Sequence, residues 1–206
     1  MADKRIMSEC LHLFPTPVLI NSIGTKFSSE ELEHIKKLKR NKNKGNTRSL
    51  DAYVLRDRVF DNIKTKVESA LEEYKNNIIV PNNELTLTVT QSWVNWTKTD
   101  EYHHAHRHPN SFISGVVYIN ATEEDSIKFT NPQQSVFDIP PKEFNMFNSL
   151  TWELPVKTGD IIIFPSTLIH EVAIKKGSKD ERVSLAFNVY PNGIIGDNYG
   201  LTELIL

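Results

Sequence analysis

This sequence lacks most of the features that would place it in a specialised class. Cys10 is the single cysteine among 206 residues, so no disulfide can form within the chain, and a reducing compartment is expected. Long apolar runs are missing too. The longest, such as residues 161–164, are far too short to span a bilayer. The opening residues MADKRIMSEC contain no apolar stretch of the kind a secretory signal carries. Neither sign of charge dominates: the formal net charge is -2, so no whole-chain field draws the protein to nucleic acid or to a membrane. There are no internal repeats and no low-complexity linker. With 39% hydrophobic and 24% charged residues, these absences fit one globular domain over residues 1–206 in the cytoplasm, with neither membrane nor nucleic acid as partner.

What is present divides the chain near Pro81. Before it, two helices are expected. Ser28-Ser29-Glu30-Glu31 reads as a capping box that opens a helix with Leu32, Ile35 and Leu38 on one face. A second helix is expected over residues 57–74, with Phe60, Ile63, Val67, Leu71 and Tyr74 at helical spacing. Between them Lys36, Lys37, Lys39, Arg40, Lys42, Lys44 and Arg48 fall together with no acid among them. This segment reads as a solvated helix end running into a mobile loop, or as a lid or a contact for an anionic partner.

After Pro81 the pattern is one of short strands and turns. Strands are expected over residues 84–97, 112–120, 126–129, 144–156, 160–164, 169–174 and 182–190, with a charged hairpin loop at 175–180. In the first of these the odd positions are Leu85, Leu87, Val89, Gln91, Trp93 and Asn95. That face is apolar at one end and hydrogen-bonding at the other, as for a strand that packs a core and then lines a cavity. Two helices followed by many antiparallel strands predict a mainly β fold: a jelly roll over 81–206, braced by the elements of 1–80.

Four of the seven histidines, His103, His104, His106 and His108, lie within six residues. In extended chain, residues two apart share a side, so any adjacent pair among His104, His106 and His108 could chelate a metal. Neutral imidazole suits Fe, Zn, Cu and Ni. His170, on a later strand, is the natural third ligand. Histidines alone do not choose between iron and zinc.

The chain also resembles a known family, the 2-oxoglutarate and Fe(II)-dependent oxygenases of bacteria and their phages, relatives of prolyl hydroxylases. The likeness begins at Leu13-Phe14-Pro15-Thr16-Pro17-Val18. It is strongest at His106-Arg107-His108-Pro109-Asn110-Ser111 and on through Ser114-Gly115-Val116-Val117-Tyr118. It continues through Phe129-Thr130-Asn131-Pro132, Gly159-Asp160 to Phe164-Pro165-Ser166, His170-Glu171-Val172 and Arg182-Val183-Ser184. The resemblance implies a double-stranded β-helix (a jelly roll of the cupin kind) that uses Fe(II), 2-oxoglutarate and O2. It implies iron ligands His106, His108 and His170, with His104 in reserve. It also implies a site for the distal carboxylate of 2-oxoglutarate made by Arg182, Ser184 and Tyr118. Arg182 and Ser184 are two apart, so they share a strand face with Ala186 and Asn188, and a guanidinium beside a hydroxyl is a good carboxylate receptor. Gln91, Trp93, Asn95 and Asn188 are candidates for the substrate pocket.

One departure stands out. Such enzymes usually bind iron through His-x-Asp or His-x-Glu, and this cluster contains neither. Either the site is an all-histidine triad, or Asp100 or Glu101 approaches from the loop. A third alternative starts from His103-His104-Ala105, since some related halogenases lack the carboxylate. The expected activity is hydroxylation of a C–H bond in a peptide, protein side chain or small molecule. The alternatives are a three-histidine dioxygenase or zinc hydrolase without 2-oxoglutarate, or a non-enzymatic jelly-roll protein.

Overall fold

The computed structural model of the protein describes residues 10–133, 139–174 and 180–206. The first part holds strand β1 (Leu19–Ser22), helix α1 (Ser29–Lys37), the short strands β2 (Arg40–Lys42) and β3 (Thr47–Ser49), and helix α2 (Asp61–Tyr74). Then come β4 (Leu85–Thr97), β5 (His103–His106), β6 (Ile113–Asn120), β7 (Ser126–Thr130) and β8 (Thr151–Pro155). The chain closes with β9 (Asp160–Pro165), β10 (His170–Val172), β11 (Arg182–Ile195) and β12 (Leu204–Ile205). Antiparallel ladders join them into two sheets. The larger has the order β1-β9-β6-β11-β4-β3-β2, with β12 on β11, and the smaller has the order β5-β10-β7-β8. From β4 to β11 the chain winds between the two sheets, which is the double-stranded β-helix the sequence predicts. Among the described residues no helix is long and apolar enough to cross a membrane.

The large sheet is covered on both faces. On one, α2 buries Ile63, Val67, Ala70, Leu71 and Tyr74 against Val117, Ile119, Ile161, Ile163, Leu185 and Phe187. Each of the Ile, Val, Leu and Phe side chains among them contributes roughly 1.5–3 kcal/mol when taken from water, which is why a helix with a single apolar stripe is held there. The expected capping box of α1 is present: the Ser28 hydroxyl accepts from the Glu31 N–H while the Glu31 carboxylate accepts from the Ser28 N–H. The other face of the sheet turns Val116, Tyr118, Ile162, Phe164 and Ala186 toward Ile127, Phe129 and Leu168. Strands β6 and β9 therefore read as continuous apolar runs, because neither face meets solvent.

A bulge in β4 explains the change of character along its odd positions. Asn188 pairs with Gln91, but Val189 pairs with Val89, which leaves Thr90 as the extra residue. The bulge switches faces. Leu85, Leu87 and Val89 pack toward the helices, whereas Trp93 packs between the sheets.

Three expectations are corrected. The strand expected over 144–156 begins only at Thr151. Residues 145–148 form a turn in which Asn145 Oδ1 accepts from Phe147 N–H and Asn148 Oδ1 accepts from Asn145 N–H, so the side-chain amides compete with any ladder. The second helix starts at Asp61 instead of residue 57, because Asp57 caps a short 3₁₀ turn before it. The basic segment is a hairpin that extends the large sheet: β3 pairs with β4, and β2 with β3. Arg40 holds it there, with its guanidinium over Trp96 at 4.1 Å and bonded to Glu181 at 2.9 Å. The loop expected at 175–180 lies outside the described residues, apart from Asp180.

Candidate metal centre

Strand β5 and the residues after it carry the clustered histidines, and β10 lies beside β5 with His170 opposite His106. This pairing gathers His106, His108 and His170 with their ligand atoms within 4.8 Å of one another. Each ring is fixed by its Nδ1. The Nδ1–H of His106 donates to the His104 carbonyl at 2.7 Å, and that of His170 to the Leu168 carbonyl at 3.0 Å. The Nδ1–H of His108 donates to Asn188 Oδ1 at 2.6 Å. A carbonyl can only accept, so the proton sits on Nδ1 and each Nε2 keeps its lone pair. The Nε2 atoms of His108 and His170 then face each other at 3.3 Å. Two bare acceptors at that separation repel unless a cation lies between them, so the donor set fits a divalent metal.

Burial keeps these rings neutral. It lowers His170 to about 2, with the neighbouring His106 adding to the effect. It lowers His108 to about 4, against the opposing pull of the Asn188 bond. His106 is lowered as well, again chiefly by burial. The walls are aromatic: Trp93 stacks on His108 at 5.6 Å, and Phe164 meets His170 edge-on at 4.6 Å. A groove of about 720 Å³ lies beyond Phe129 and Leu168, which line it, whereas His106, His108 and His170 do not.

The reserve ligand His104 groups instead with His103 and His106, and its Nδ1 is 3.4 Å from the Lys44 carbonyl. No carboxylate joins either histidine group among the described residues. Glu101 is turned away, its Oε2 accepting from the Lys98 N–H. The structure therefore leaves the loop-carboxylate alternative without a ligand atom.

Deeper in the barrel, Tyr118, Ser184 and Asn95 form one row across β6, β11 and β4. Arg182 lies one inward-facing position further along, 5% exposed, with its guanidinium 5.2 Å from the Tyr118 ring. Its Nη1 donates to the Ser126 carbonyl. Arg182 Nε, the Tyr118 hydroxyl and Asn95 Oδ1 are buried without a hydrogen-bond partner. Burial pushes the Tyr118 hydroxyl up to about 12, so it stays protonated and able to donate. Two orphan donors beside a buried cation fit a carboxylate, since leaving them unmet costs about 1–3 kcal/mol each.

Gln91 and Asn188 sit opposite each other, and the Asn188 Nδ2 donates to Gln91 Oε1. Asn188 thus contacts His108. A serine chain completes the arrangement: Ser114 donates to Asn188 Oδ1, Ser166 lies 2.8 Å from Ser114, and Ser166 also reaches Ser111. Sequence reasoning missed these serines. The available signal was Ser114, a small polar residue in phase with Val116 and Tyr118 on an otherwise apolar strand face.

Residues 91–188 match the model of the family described as "Putative 2OG-Fe(II) oxygenase". That stretch, just under half of the chain, is similar to the 2OG-Fe(II) oxygenase family. Solved oxygenases share the fold. HygX from Streptomyces hygroscopicus, in a structure with nickel, 2-oxoglutarate and hygromycin B bound, aligns with a TM-score of 0.57 at 14% identity, covering 84% of this chain and 82% of its own. A prolyl hydroxylase from Trichoplax adhaerens, in complex with a hypoxia inducible factor oxygen degradation domain peptide fragment, aligns with a TM-score of 0.57 at 13% identity, covering 84% and 83%. A 2OG-Fe(II) oxygenase family oxidoreductase from Burkholderia pseudomallei aligns with a TM-score of 0.56 at 13% identity, also covering 84% and 83%. At these identities the likeness is one of fold. No curated protein matches the sequence.

Proposed function

We propose that this chain is a 2-oxoglutarate and Fe(II)-dependent oxygenase, a cytoplasmic hydroxylase of a peptide, protein side chain or small molecule, working as a single domain over residues 1–206. In this reading His106, His108 and His170 hold the iron, and Arg182, Tyr118 and Ser184 receive the distal carboxylate of 2-oxoglutarate. The observation that carries it is the pairing of two unmet groups in one barrel: converging Nε2 lone pairs at one end, and orphan donors around a buried guanidinium deeper in. Fe(II) with 2-oxoglutarate and O2 supplies oxidative decarboxylation of the cosubstrate to succinate and CO2, coupled to oxidation of a C–H bond.

The chain's own residues do the positioning. The three Nδ1–H bonds fix the tautomers, so no proton must leave a ring when metal binds at neutral pH. Arg182 supplies charge, and Tyr118 a donor, to the cosubstrate's far end. Trp93, Phe164 and Phe129 give the centre aromatic walls. With imidazole in place of the usual carboxylate, the site is one unit more positive, which favours anionic ligands.

The test is anaerobic loading with Fe(II), followed by 2-oxoglutarate and oxygen. Succinate should form, and Arg182→Ala should weaken 2-oxoglutarate binding by about 100-fold with metal stoichiometry unchanged, as for loss of a buried charge-assisted contact of about 2–5 kcal/mol. A metal enzyme that does not use 2-oxoglutarate would instead keep its activity in Arg182→Ala. Absence of both succinate and 2-oxoglutarate binding would sink the reading.

A further inference from the structure

The oxygenase chemistry leaves one feature of the sequence unused, the cation-rich segment that the fold turns into the β2–β3 hairpin. We propose that this hairpin is a docking edge for an extended acidic peptide; that this peptide is the prime substrate rests on the proposed function above, whereas the docking surface does not.

Among the described residues the hairpin is the outermost part of the large sheet, and β2 has a neighbour on one side only. All three residues of β2 are exposed. Its free edge presents backbone groups that a second extended chain can pair with. Lys39, Lys42 and Lys44 are exposed and take part in no ion pair among the described residues. They differ in this from Lys36, paired with Glu33, and from Arg40, committed to Glu181 and Trp96. From Lys36 to Leu50 the sequence has no acid that could neutralise them.

The hairpin tip is tied to the strand that carries the metal site. Asn43 Nδ2 lies 3.4 Å from His103 Nε2, and the Lys44 carbonyl lies 3.4 Å from His104 Nδ1. The Tyr102 N–H donates to the Gly45 carbonyl at 3.1 Å. Gly45 has φ +94, and a side chain there would press on Tyr102, so this close approach requires glycine. His103 in turn stacks on His106 at 4.5 Å. A chain held along β2 is thereby delivered beside the candidate iron ligands.

Charge and shape select the occupant. Lysines on an edge strand ordinarily prevent pairing with other chains. Here they repel neutral-edge aggregation and basic chains, while an acidic chain gains from the same charges. A nucleic acid fits less well. Its backbone cannot pair with a strand edge, residues 36–50 contain no aromatic side chain on which a base could stack, and Lys39, Lys42 and Lys44 give few phosphate contacts.

The experiment uses full-length protein loaded with Ni(II) and a fluorescein-labelled glutamate-rich peptide, followed by anisotropy. The peptide should bind, and raising salt from about 0.05 to about 0.3 M should weaken it about tenfold. The K39E/K42E/K44E variant should bind it at least about tenfold more weakly and should accept a lysine-rich peptide instead. Its 2-oxoglutarate affinity, measured by calorimetry, should be unchanged. Equal binding by wild type and variant, no binding at all, or tighter binding of a thymidylate oligomer of equal charge would overturn the proposal. If the peptide binds in this lysine-dependent way but 2-oxoglutarate does not bind to wild type, the docking surface stands and the oxygenase reading falls.

Discussion

Asn188 shows how much of a candidate metal centre can depend on a residue outside its ligand set. Its Oδ1 accepts from His108 Nδ1–H and from the Ser114 hydroxyl, and its Nδ2 donates to Gln91. Asn188→Ala should free the His108 ring to rotate and change tautomer, lowering Ni(II) or Fe(II) affinity by about 10–100-fold in a calorimetric titration. His104→Ala should leave affinity and stoichiometry close to wild type, because His104 contributes its carbonyl, which alanine keeps, to the His106 bond. Equal losses in the two variants would show that His104 is itself a ligand. The histidine cluster and the phase of Arg182 with Ser184 were legible in the sequence, as was a third histidine at 170. The partner of each Nδ1 was not, because Asn188 lies eighty residues from His108 and meets it only through the stacking of β11 against the returning chain.

Elements differ in how plainly the sequence announces them. The α1 capping box is local, a matter of four consecutive residues, and it is present as read. Strand β11 keeps strict alternation, with Val183, Leu185, Phe187 and Val189 on the helix side. Strand β4 has the same alternation on paper, yet its Thr90 bulge switches faces midway. Nothing local demands the bulge; it follows from fitting one strand to both the helix core and the inter-sheet space. The β2–β3 hairpin was unreadable for a similar reason. Its residues are polar and basic, poor strand formers in isolation, and they are held by Trp96 and Glu181 from elsewhere. Strand β6 offers a test of close packing. A Cβ on Gly115 would overlap the Phe187 ring and crowd the Ile162 carbonyl. Gly115→Ala should therefore destabilise the fold by about 1–3 kcal/mol in urea unfolding, whereas a compensating Phe187→Leu should recover part of that loss.

At the scale of the whole molecule, the large sheet separates two environments: an apolar core with the helices on one side, and a histidine and arginine site on the other. Storing four neutral imidazoles there has a pH signature. His103, His106, His108 and His170 are all lowered by burial, His103 to about 3, against about 6.5 in an unfolded chain. Below that value the unfolded state binds more protons than the folded state, so stability falls as the pH drops. Metal-free protein should lose stability in urea from pH 7 to pH 5, and a His106→Gln/His108→Gln/His170→Gln variant should show a shallower loss. A flat profile in the wild type would contradict neutral buried rings. By itself the sequence determined the class of fold, the helix stripes, the alternation of β11 and the clustering of four histidines, because periodicity and side-chain chemistry are properties of neighbouring residues. Tertiary structure alone decided that His106, His108 and His170 converge while His104 turns aside, that Asn188 serves His108, and that the basic segment becomes a sheet edge. Those outcomes depend on which strands meet in space: β5 meets β10 in the smaller sheet, and the β2–β3 hairpin is held against β4 by Arg40 on Trp96 and Glu181.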